Sequence, residues 1–221
     1  MLCLFDLDGT LIDSELGIFS CIRHALAQMQ VPAPTPEALR DWIGPPLHQG
    51  FAALMDNDAA KVTAAIGHYH DRFTTIGWRE HAVYPGLTQL IEGLQAAGHQ
   101  LAVVTSKPRL HALPIVESLP FGAAFQHVYG PEPGNPHCEK ASMIAAALAD
   151  FHTAPEHAVM IGDRRFDIEG AVANRVRGFG VLWGFGSREE LTLAGATAIA
   201  NDPGELTGFI NEAAAALAED A

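Results

Sequence analysis

The 221-residue sequence predicts an α/β fold in which helices cover both faces of a parallel sheet. Short apolar segments, each about as long as a buried strand, alternate with amphipathic segments of helical period. One long stretch after the first apolar segment contains only helical patterns. Together these observations predict a Rossmann-like parallel sheet core with a small all-helical cap domain inserted after the first strand.

The predicted strands are four apolar runs, and β-branched residues dominate the middle two. They span residues 2–5, 101–104, 158–161 and 180–183. Helices are predicted between and after them, at residues 86–97 and 139–151 and from Pro108, Ser187 and Pro203 onward. Pro108 and Pro203 suit the first turn of a helix, where the missing N–H costs little. Ser187 and Glu190 match a capping box.

The insert contains no convincing strand pattern between residues 14 and 80. Its helices are predicted at residues 19–29, from Thr35-Pro36, at 47–55 and at 58–76. The chain is expected to return to the sheet near residues 84–86. We therefore predict a core made of residues 1–13 and 82–221, and a helical cap made of residues 14–81.

The composition limits the classes of partner. The formal net charge is −13, from 26 acidic and 13 basic residues, so the surface repels nucleic acid and anionic membranes. The three cysteines, Cys3, Cys21 and Cys138, do not form a disulfide framework. No signal peptide or membrane-spanning stretch is visible. These features predict a cytoplasmic protein, either a monomer or a homodimer, that binds a small molecule.

Polar residues follow three of the predicted strands directly. Asp6 and Asp8 follow the first strand, Thr105 and Lys107 follow the second, and Asp163 follows the third. The carboxyl ends of parallel strands meet at one edge of the sheet, where ligands bind. The sequence thus predicts a single site at this edge. Asp6 and Asp8 are two positions apart, so they point to the same side if the strand geometry persists.

The charges predicted at this edge indicate a cation. Together with Asp167, the three aspartates bring up to four carboxylates together, and these would repel one another without compensation. Oxygen ligands alone suit Mg²⁺, which often shares a substrate phosphate. Nearby lysine and threonine side chains suit phosphate oxygens. The residues therefore predict a site for Mg²⁺ and a phosphate ester.

Four segments, in order, resemble the motifs of the haloacid dehalogenase superfamily. Residues 6–14 closely resemble the first motif, residues 103–107 the second and residues 160–167 the fourth, while Lys140 holds the place of the third-motif lysine. Two further segments, residues 180–187 and 43–47, are similar to the phosphoglycolate phosphatase branch. The resemblance covers nearly the whole chain. Ser106 departs from the pattern, since many relatives have Asn there, and His48 often corresponds to Arg.

The resemblance implies a phosphatase mechanism with four catalytic residues. Asp6 is expected to attack phosphorus and form an aspartyl-phosphate. Asp8 is expected to protonate the leaving oxygen and then to activate water. Thr105 is expected to hydrogen-bond a phosphoryl oxygen, and Lys140 to offset its charge.

The resemblance also implies how the metal is held. The expected ligands are the Asp6 carboxylate, the Asp8 main-chain carbonyl and Asp163. Asp167 is expected either to bind through a water molecule or to orient Lys140. Without the motif order, Asp163 would be interpreted as a helix N-cap and Asp167 as a charge at a helix start.

Substrate contacts are predicted in the core and in the cap. Ser106 and Lys107 are candidates in the core, and Lys107 is a rival of Lys140 for the phosphoryl group. Gly44 and Pro45 are candidates in a cap loop, with a plain interhelical turn as the alternative. The resemblance implies that the cap closes over the site.

Phosphoglycolate is the first substrate expected, and a nucleoside monophosphate, a sugar phosphate and pyrophosphate are alternatives. Phosphoryl transfer of the β-phosphoglucomutase type is a second hypothesis. A binding protein on a retired enzyme fold is a third, which the full set of catalytic residue types disfavours.

Overall fold

The computed structural model describes residues 1–132, 135 and 138–219, with the backbone alone for 218 and 219. Its internal contacts divide the chain into two compact units. The larger unit comprises Met1–Ile12 and Val83–Ala221, and the smaller unit comprises Asp13–Ala82.

The strands are β1 (Leu2–Phe5), β2 (Ile12–Asp13), β3 (Ala82–Val83), β4 (Gln100–Val104), β5 (His127–Tyr129), β6 (Ala158–Gly162), β7 (Arg177–Val181) and β8 (Ala198–Ala200). Six of them form the sheet of the larger unit, in the order β5-β4-β1-β6-β7-β8, and each neighbouring pair is parallel. The predicted α/β fold class is confirmed.

The α-helices are α1 (Glu15–Gln28), α2 (Pro36–Arg40), α3 (Leu47–Leu54), α4 (Ala59–Thr75), α5 (Leu87–Ala96), α6 (Arg109–Ser118), α7 (Lys140–Asp150), α8 (Arg165–Ala173), α9 (Arg188–Leu193) and α10 (Pro203–Glu219). Single 3₁₀ turns span Gly77–Arg79, Gly122–Ala124 and Pro155–His157. Among the described residues, none of the helices has both the length and the hydropathy that crossing a membrane requires.

The core of the larger unit forms because the central strands are apolar on both faces. All four residues of β1 are buried, as expected for a strand in the middle of a parallel sheet. Alternate residues of β1, β4 and β6 share one face, since side chains alternate along a strand. Buried residues of α7 pack against that face. This packing fixes the ends of three adjacent strands beside one another.

Two local differences from the sequence prediction have physical reasons. The fourth predicted strand, at residues 180–183, lies instead at Arg177–Val181, because a charged residue and two glycines obscure its apolar pattern. Pro108 is the N-cap of α6 and not its first helical residue, because its ψ of 132° lies outside the helical range. The strands β5 and β8 have three residues each and are too short to give a pattern.

The smaller unit contains helices α1 to α4. Two of them begin at side-chain caps: Thr35 accepts a hydrogen bond from Ala38 N, and Asp58 accepts from the N–H groups of residues 60 and 61. Near its end, Arg72 donates to both carboxylate oxygens of Glu80, at 2.6 and 2.9 Å. This unit is therefore held by caps and a bidentate ion pair as well as by its apolar side chains.

Candidate active site

The candidate site lies in the larger unit, where β1, β4 and β6 end. These strands are adjacent and parallel, with β1 in the middle, so the loops that follow them are neighbours. Asp6, Thr105 and Asp163 each come directly after one of these strands. All three are buried, which is unusual for polar residues and requires compensating partners.

Three carboxylates meet at this edge. One carboxylate oxygen from each of Asp6, Asp163 and Asp167 lies within 4.8 Å of the others. The three residues are 4%, 0% and 1% exposed, so water does not screen their mutual repulsion. The cluster therefore needs positive charge or bound protons.

Lys140 supplies part of that positive charge. It is the first residue of α7, and its Nζ lies 2.9 Å from Oδ1 of Asp6 and 2.7 Å from Oδ1 of Asp167. The same ammonium donates a hydrogen bond to Val104 O at 2.9 Å. Burial alone would lower the pKa of Lys140, but the charges of Asp167 and Asp6 outweigh it and raise the pKa. Lys140 is therefore a buried, charged residue.

One lysine does not neutralise the cluster. Burial raises the pKa of Asp6 to about 7. The positive charge of Lys140 opposes this rise, and the negative charges of Asp167 and Asp8 add to it. Burial raises the pKa of Asp163 well above its ordinary value, and the charges of Asp167 and Asp6 add to the effect. The cluster thus holds protons more readily than free aspartates do, unless further positive charge enters.

A divalent cation fits this donor set. Oδ1 of Asp6 and Oδ1 of Asp167 are buried, and the ammonium of Lys140 lies 2.9 and 2.7 Å from them. Buried carboxylate oxygens grouped in this way are suitable ligands for a hard cation such as Mg²⁺. The residues present are therefore compatible with the predicted metal.

Asp8 lies apart from the carboxylate cluster. Its Oδ1 is 2.6 Å from Lys107 Nζ, and its Oδ2 contacts the same ammonium. The strand ends at Phe5, and the chain then turns so that Gly9 N donates to Ile12 O. The expectation that Asp6 and Asp8 point to the same side depended on continued strand geometry. In the structure, the two side chains pair with different lysines.

The loop after β4 carries the other predicted core contacts. Thr105 is 1% exposed, and its hydroxyl accepts a hydrogen bond from Lys107 N at 3.2 Å. Ser106 lies between them and is half-buried. Lys107 Nζ is engaged with Asp8, so the structure pairs the two rival lysines with different carboxylates.

Hydrogen bonds orient Asp163 in the β6–α8 loop and Asp167 in the first turn of α8. Asp163 accepts from Thr10 Oγ1 at 3.2 Å and from Phe185 N at 2.8 Å. Asp167 Oδ2 accepts from Arg164 N at 3.1 Å. The N-cap of α8 is Arg164, so the alternative interpretation of Asp163 as the cap does not hold.

Thr10 and Phe185 are contacts that the motifs did not predict. The sequence signal for the Phe185 contact is the glycine content of residues 180–187, a segment similar to the phosphoglycolate phosphatase branch. Gly44 and Pro45 lie in the smaller unit, where Gly44 has φ 105°. Their role as substrate contacts stays a prediction.

Comparison with known proteins finds a matching family model, relatives of similar sequence and solved structures of similar fold. The family model described as haloacid dehalogenase-like hydrolase matches residues 3–181. A 5'-nucleotidase of Pseudomonas aeruginosa is 40% identical over 188 residues, which is 85% of each chain. The tyrosine-protein kinase PtkA of Mycobacterium tuberculosis is 33% identical over 198 residues, covering 90% of this chain and 67% of that protein. The crystal structure of a predicted phosphatase from Clostridium acetobutylicum has a TM-score of 0.89 and 36% identity, covering 96% and 98% of the two chains.

Proposed function

The chain belongs to the haloacid dehalogenase-like hydrolases, and on that basis we propose that it is a magnesium-dependent phosphatase of small phosphomonoesters. The observation that supports this most strongly is that Asp6 is buried beside Lys140 and close to the carboxylates of Asp163 and Asp167. Such a carboxylate is a nucleophile only when positive charge keeps it ionised, and this site combines a lysine with a donor set that fits a cation.

Asp6 is the proposed nucleophile. Its carboxylate oxygen forms a bond to phosphorus while the bond from phosphorus to the ester oxygen breaks, which leaves an aspartyl-phosphate. Hydrolysis of that intermediate by water releases phosphate and restores Asp6. Lys140 favours the ionised form of Asp6 and offsets the charge of the phosphoryl oxygens.

Asp8 is the proposed general acid and base. It transfers a proton to the departing ester oxygen in the first step and takes one from water in the second. Lys107, which contacts both oxygens of Asp8, fixes where that carboxylate points. Thr105 is the proposed donor to a phosphoryl oxygen, because its hydroxyl accepts from Lys107 N and still has its own proton to donate.

Mg²⁺ is the proposed cofactor. The carboxylates of Asp6, Asp163 and Asp167 and the main-chain carbonyl of Asp8 are the groups that would hold it. When bound, it supplies positive charge that stabilises the transferring phosphoryl group. Asp167 has a second proposed role besides binding the metal, because its carboxylate also orients Lys140.

A nucleoside 5'-monophosphate is the substrate we propose to test first. The 40% identical relative named 5'-nucleotidase supports this order, because the match covers 85% of both chains. Phosphoglycolate, ranked first from the sequence motifs alone, becomes the second candidate. Ser106, Lys107, Gly44 and Pro45 remain the proposed substrate contacts.

The test is phosphate release from a panel of nucleotides, phosphoglycolate and sugar phosphates, with Mg²⁺ or with EDTA. We expect release that needs Mg²⁺, persists in Asp71→Asn and is lost in Asp6→Asn. Asp71 is a matched control because its side chain is 78% exposed and lies in the smaller unit. Release that survives EDTA, or that Asp6→Asn retains, would overturn the mechanism.

Absence of release from every ester, with the protein shown to be folded, would overturn the phosphatase proposal. Isomerisation of a sugar phosphate would then favour a mutase. Transfer of phosphate from ATP to a tyrosyl peptide would favour the activity named for the mycobacterial relative.

A further inference from the structure

The segment Trp183-Gly184-Phe185-Gly186 follows β7 and supplies no carboxylate, yet it contacts the loop after β1 and the loop after β6, which carry candidate metal ligands. We call it the 183–186 loop. The proposed reaction assigns no chemical role to any of its residues. Its contacts point to a different kind of role.

The first contact is with Asp163. Phe185 N donates to Oδ2 of Asp163 at 2.8 Å, and Thr10 Oγ1 donates to Oδ1 at 3.2 Å. Each carboxylate oxygen thus accepts one hydrogen bond from the protein. An ionised carboxylate has about four acceptor sites in all, so lone pairs remain for a cation while the two hydrogen bonds restrain the carboxylate plane.

The second contact is with the loop after β1. The indole Nε1 of Trp183 donates to Thr10 O at 3.0 Å. Thr10 is the residue whose hydroxyl holds the other oxygen of Asp163. The 183–186 loop therefore acts on Asp163 twice, directly through Phe185 N and indirectly through Thr10.

The third feature is how closely the loop approaches Asp163. A Cβ built at Gly184 would meet the carbonyl oxygen of Gly9 and would lie 2.5 Å from Cβ of Asp163. A Cβ at Gly186 would meet the carbonyl oxygen of Asp163. This approach to buried backbone is possible only where the loop has no side chain.

We propose that the 183–186 loop is a positioning element that sets the affinity of the site for its divalent cation, by fixing the orientation of Asp163. The proposal rests on the magnesium-dependent function proposed above. Groups that orient metal ligands without touching the metal commonly change metal affinity by 10- to 100-fold when they are altered. The loop makes contacts of this kind on both oxygens of one ligand.

The test compares the Mg²⁺ affinity of two glycine variants of the full chain. Gly184→Ala places a methyl group against Asp163, whereas Gly93→Ala places one in open space on α5. Dissociation constants come from the rise of the melting temperature of EDTA-treated, dialysed protein with Mg²⁺ concentration. We expect Gly184→Ala to weaken Mg²⁺ binding by about tenfold or more, and Gly93→Ala to leave it unchanged.

Trp183→Phe is the milder variant, because it keeps an aromatic ring and removes only the indole N–H. We expect its dissociation constant for Mg²⁺ to rise about 2- to 10-fold, the effect of one lost hydrogen bond. Its phosphate release should recover at saturating Mg²⁺, because the chemical groups are intact. If Gly184→Ala does not fold, Trp183→Phe decides the question alone.

The outcomes separate this inference from the proposed function. If the wild-type chain binds Mg²⁺ and Trp183→Phe binds it equally well, the loop only packs against the site and the inference is wrong. A lowered melting temperature without metal, with unchanged Mg²⁺ affinity, would lead to the same conclusion. If the wild-type chain binds no Mg²⁺, the proposed function fails and the inference fails with it.

Discussion

Lys107 and Asp8 lie 99 positions apart in the chain, and Lys107 Nζ contacts both carboxylate oxygens of Asp8. The two side chains are only 8% and 11% exposed, so solvent and salt screen this ion pair weakly. Lys140 forms the corresponding ion pair with Asp6, the other aspartate of the same loop. Each of these aspartates thus has its own lysine. We therefore expect replacement of Lys107 to impair the acid-base role proposed for Asp8, and replacement of Lys140 to impair the nucleophilic role proposed for Asp6.

Lys107→Met should impair the role of Asp8. Without its partner, the Asp8 carboxylate is no longer held toward the departing oxygen, and misplaced acid catalysis costs about 10²- to 10⁴-fold. An alkyl oxygen must be protonated as it leaves, whereas a nitrophenyl oxygen leaves without a proton. We expect kcat to fall by about 100-fold for an alkyl phosphate and by much less for p-nitrophenyl phosphate.

The control for this prediction is Lys61→Met, which removes a lysine that is 62% exposed in the smaller unit. Lys107→Arg should restore part of the activity, since it keeps the positive charge. Equal losses of kcat for the two esters would show that Lys107 does not act through Asp8.

Lys140→Met should destabilise the protein as well as inactivate it. The substitution leaves Asp6 and Asp167 buried without their shared cation. Breaking a buried ion pair by removing one partner costs about 3–5 kcal/mol, and proton uptake by Asp6 keeps the loss near the lower limit. Urea unfolding at pH 7.5 with EDTA measures the change. A loss no larger than that of Lys61→Met would contradict the charge balance described for the cluster.

Stability without metal should depend on pH through Asp6. Burial raises the pKa of Asp6 from 3.8 to about 7 in the folded chain, so between these values the folded state holds a proton that the unfolded state has lost. Stability therefore falls as the pH rises through this range. Lys140 is protonated in both states there and adds no slope, because its pKa is also raised.

We expect the free energy of unfolding in EDTA to fall by about 2 kcal/mol more in the wild type than in Asp6→Asn between pH 5 and pH 7.5. Mg²⁺ should stabilise the wild type more at pH 7.5 than at pH 5, because it binds the ionised ligands. Parallel pH profiles of the two proteins would contradict the raised pKa.

The sequence predicted the fold class and the family resemblance, and both are confirmed. It also placed Asp6, Thr105 and Asp163 after three apolar runs whose carboxyl ends would lie at one edge of a parallel sheet. That inference succeeded because parallel strands end at one edge, whatever the details of packing. The exact strand at residues 177–181 was missed, because Gly178 and Gly180 carry no apolar side chain to mark it.

The partners of the site residues could not be predicted. Thr10 and Asp163 are 153 positions apart, and their hydrogen bond depends on how two loops are packed. The assignment of Lys107 to Asp8 depends on the turn that follows Asp6, which local periodicity does not encode. A sequence gives the residue types and the strand ends, but side-chain pairing between loops is a property of the folded chain.

Glu80→Gln should weaken the smaller unit in a pH-dependent way. The hydrogen bonds from Arg72 lower the pKa of Glu80 in the folded chain below its ordinary value of 4.5. The ion pair therefore stabilises the folded state fully above pH 4.5, and this stabilisation is lost as the pH falls through the lowered pKa of Glu80. Both side chains are about one-fifth exposed, so we expect a loss of about 1 kcal/mol at pH 7 and a smaller one at pH 3.5. Urea unfolding at both pH values measures it, with the exposed Glu92→Gln in α5 as the control. A loss that does not shrink at the lower pH would mean that the ion pair is not its source.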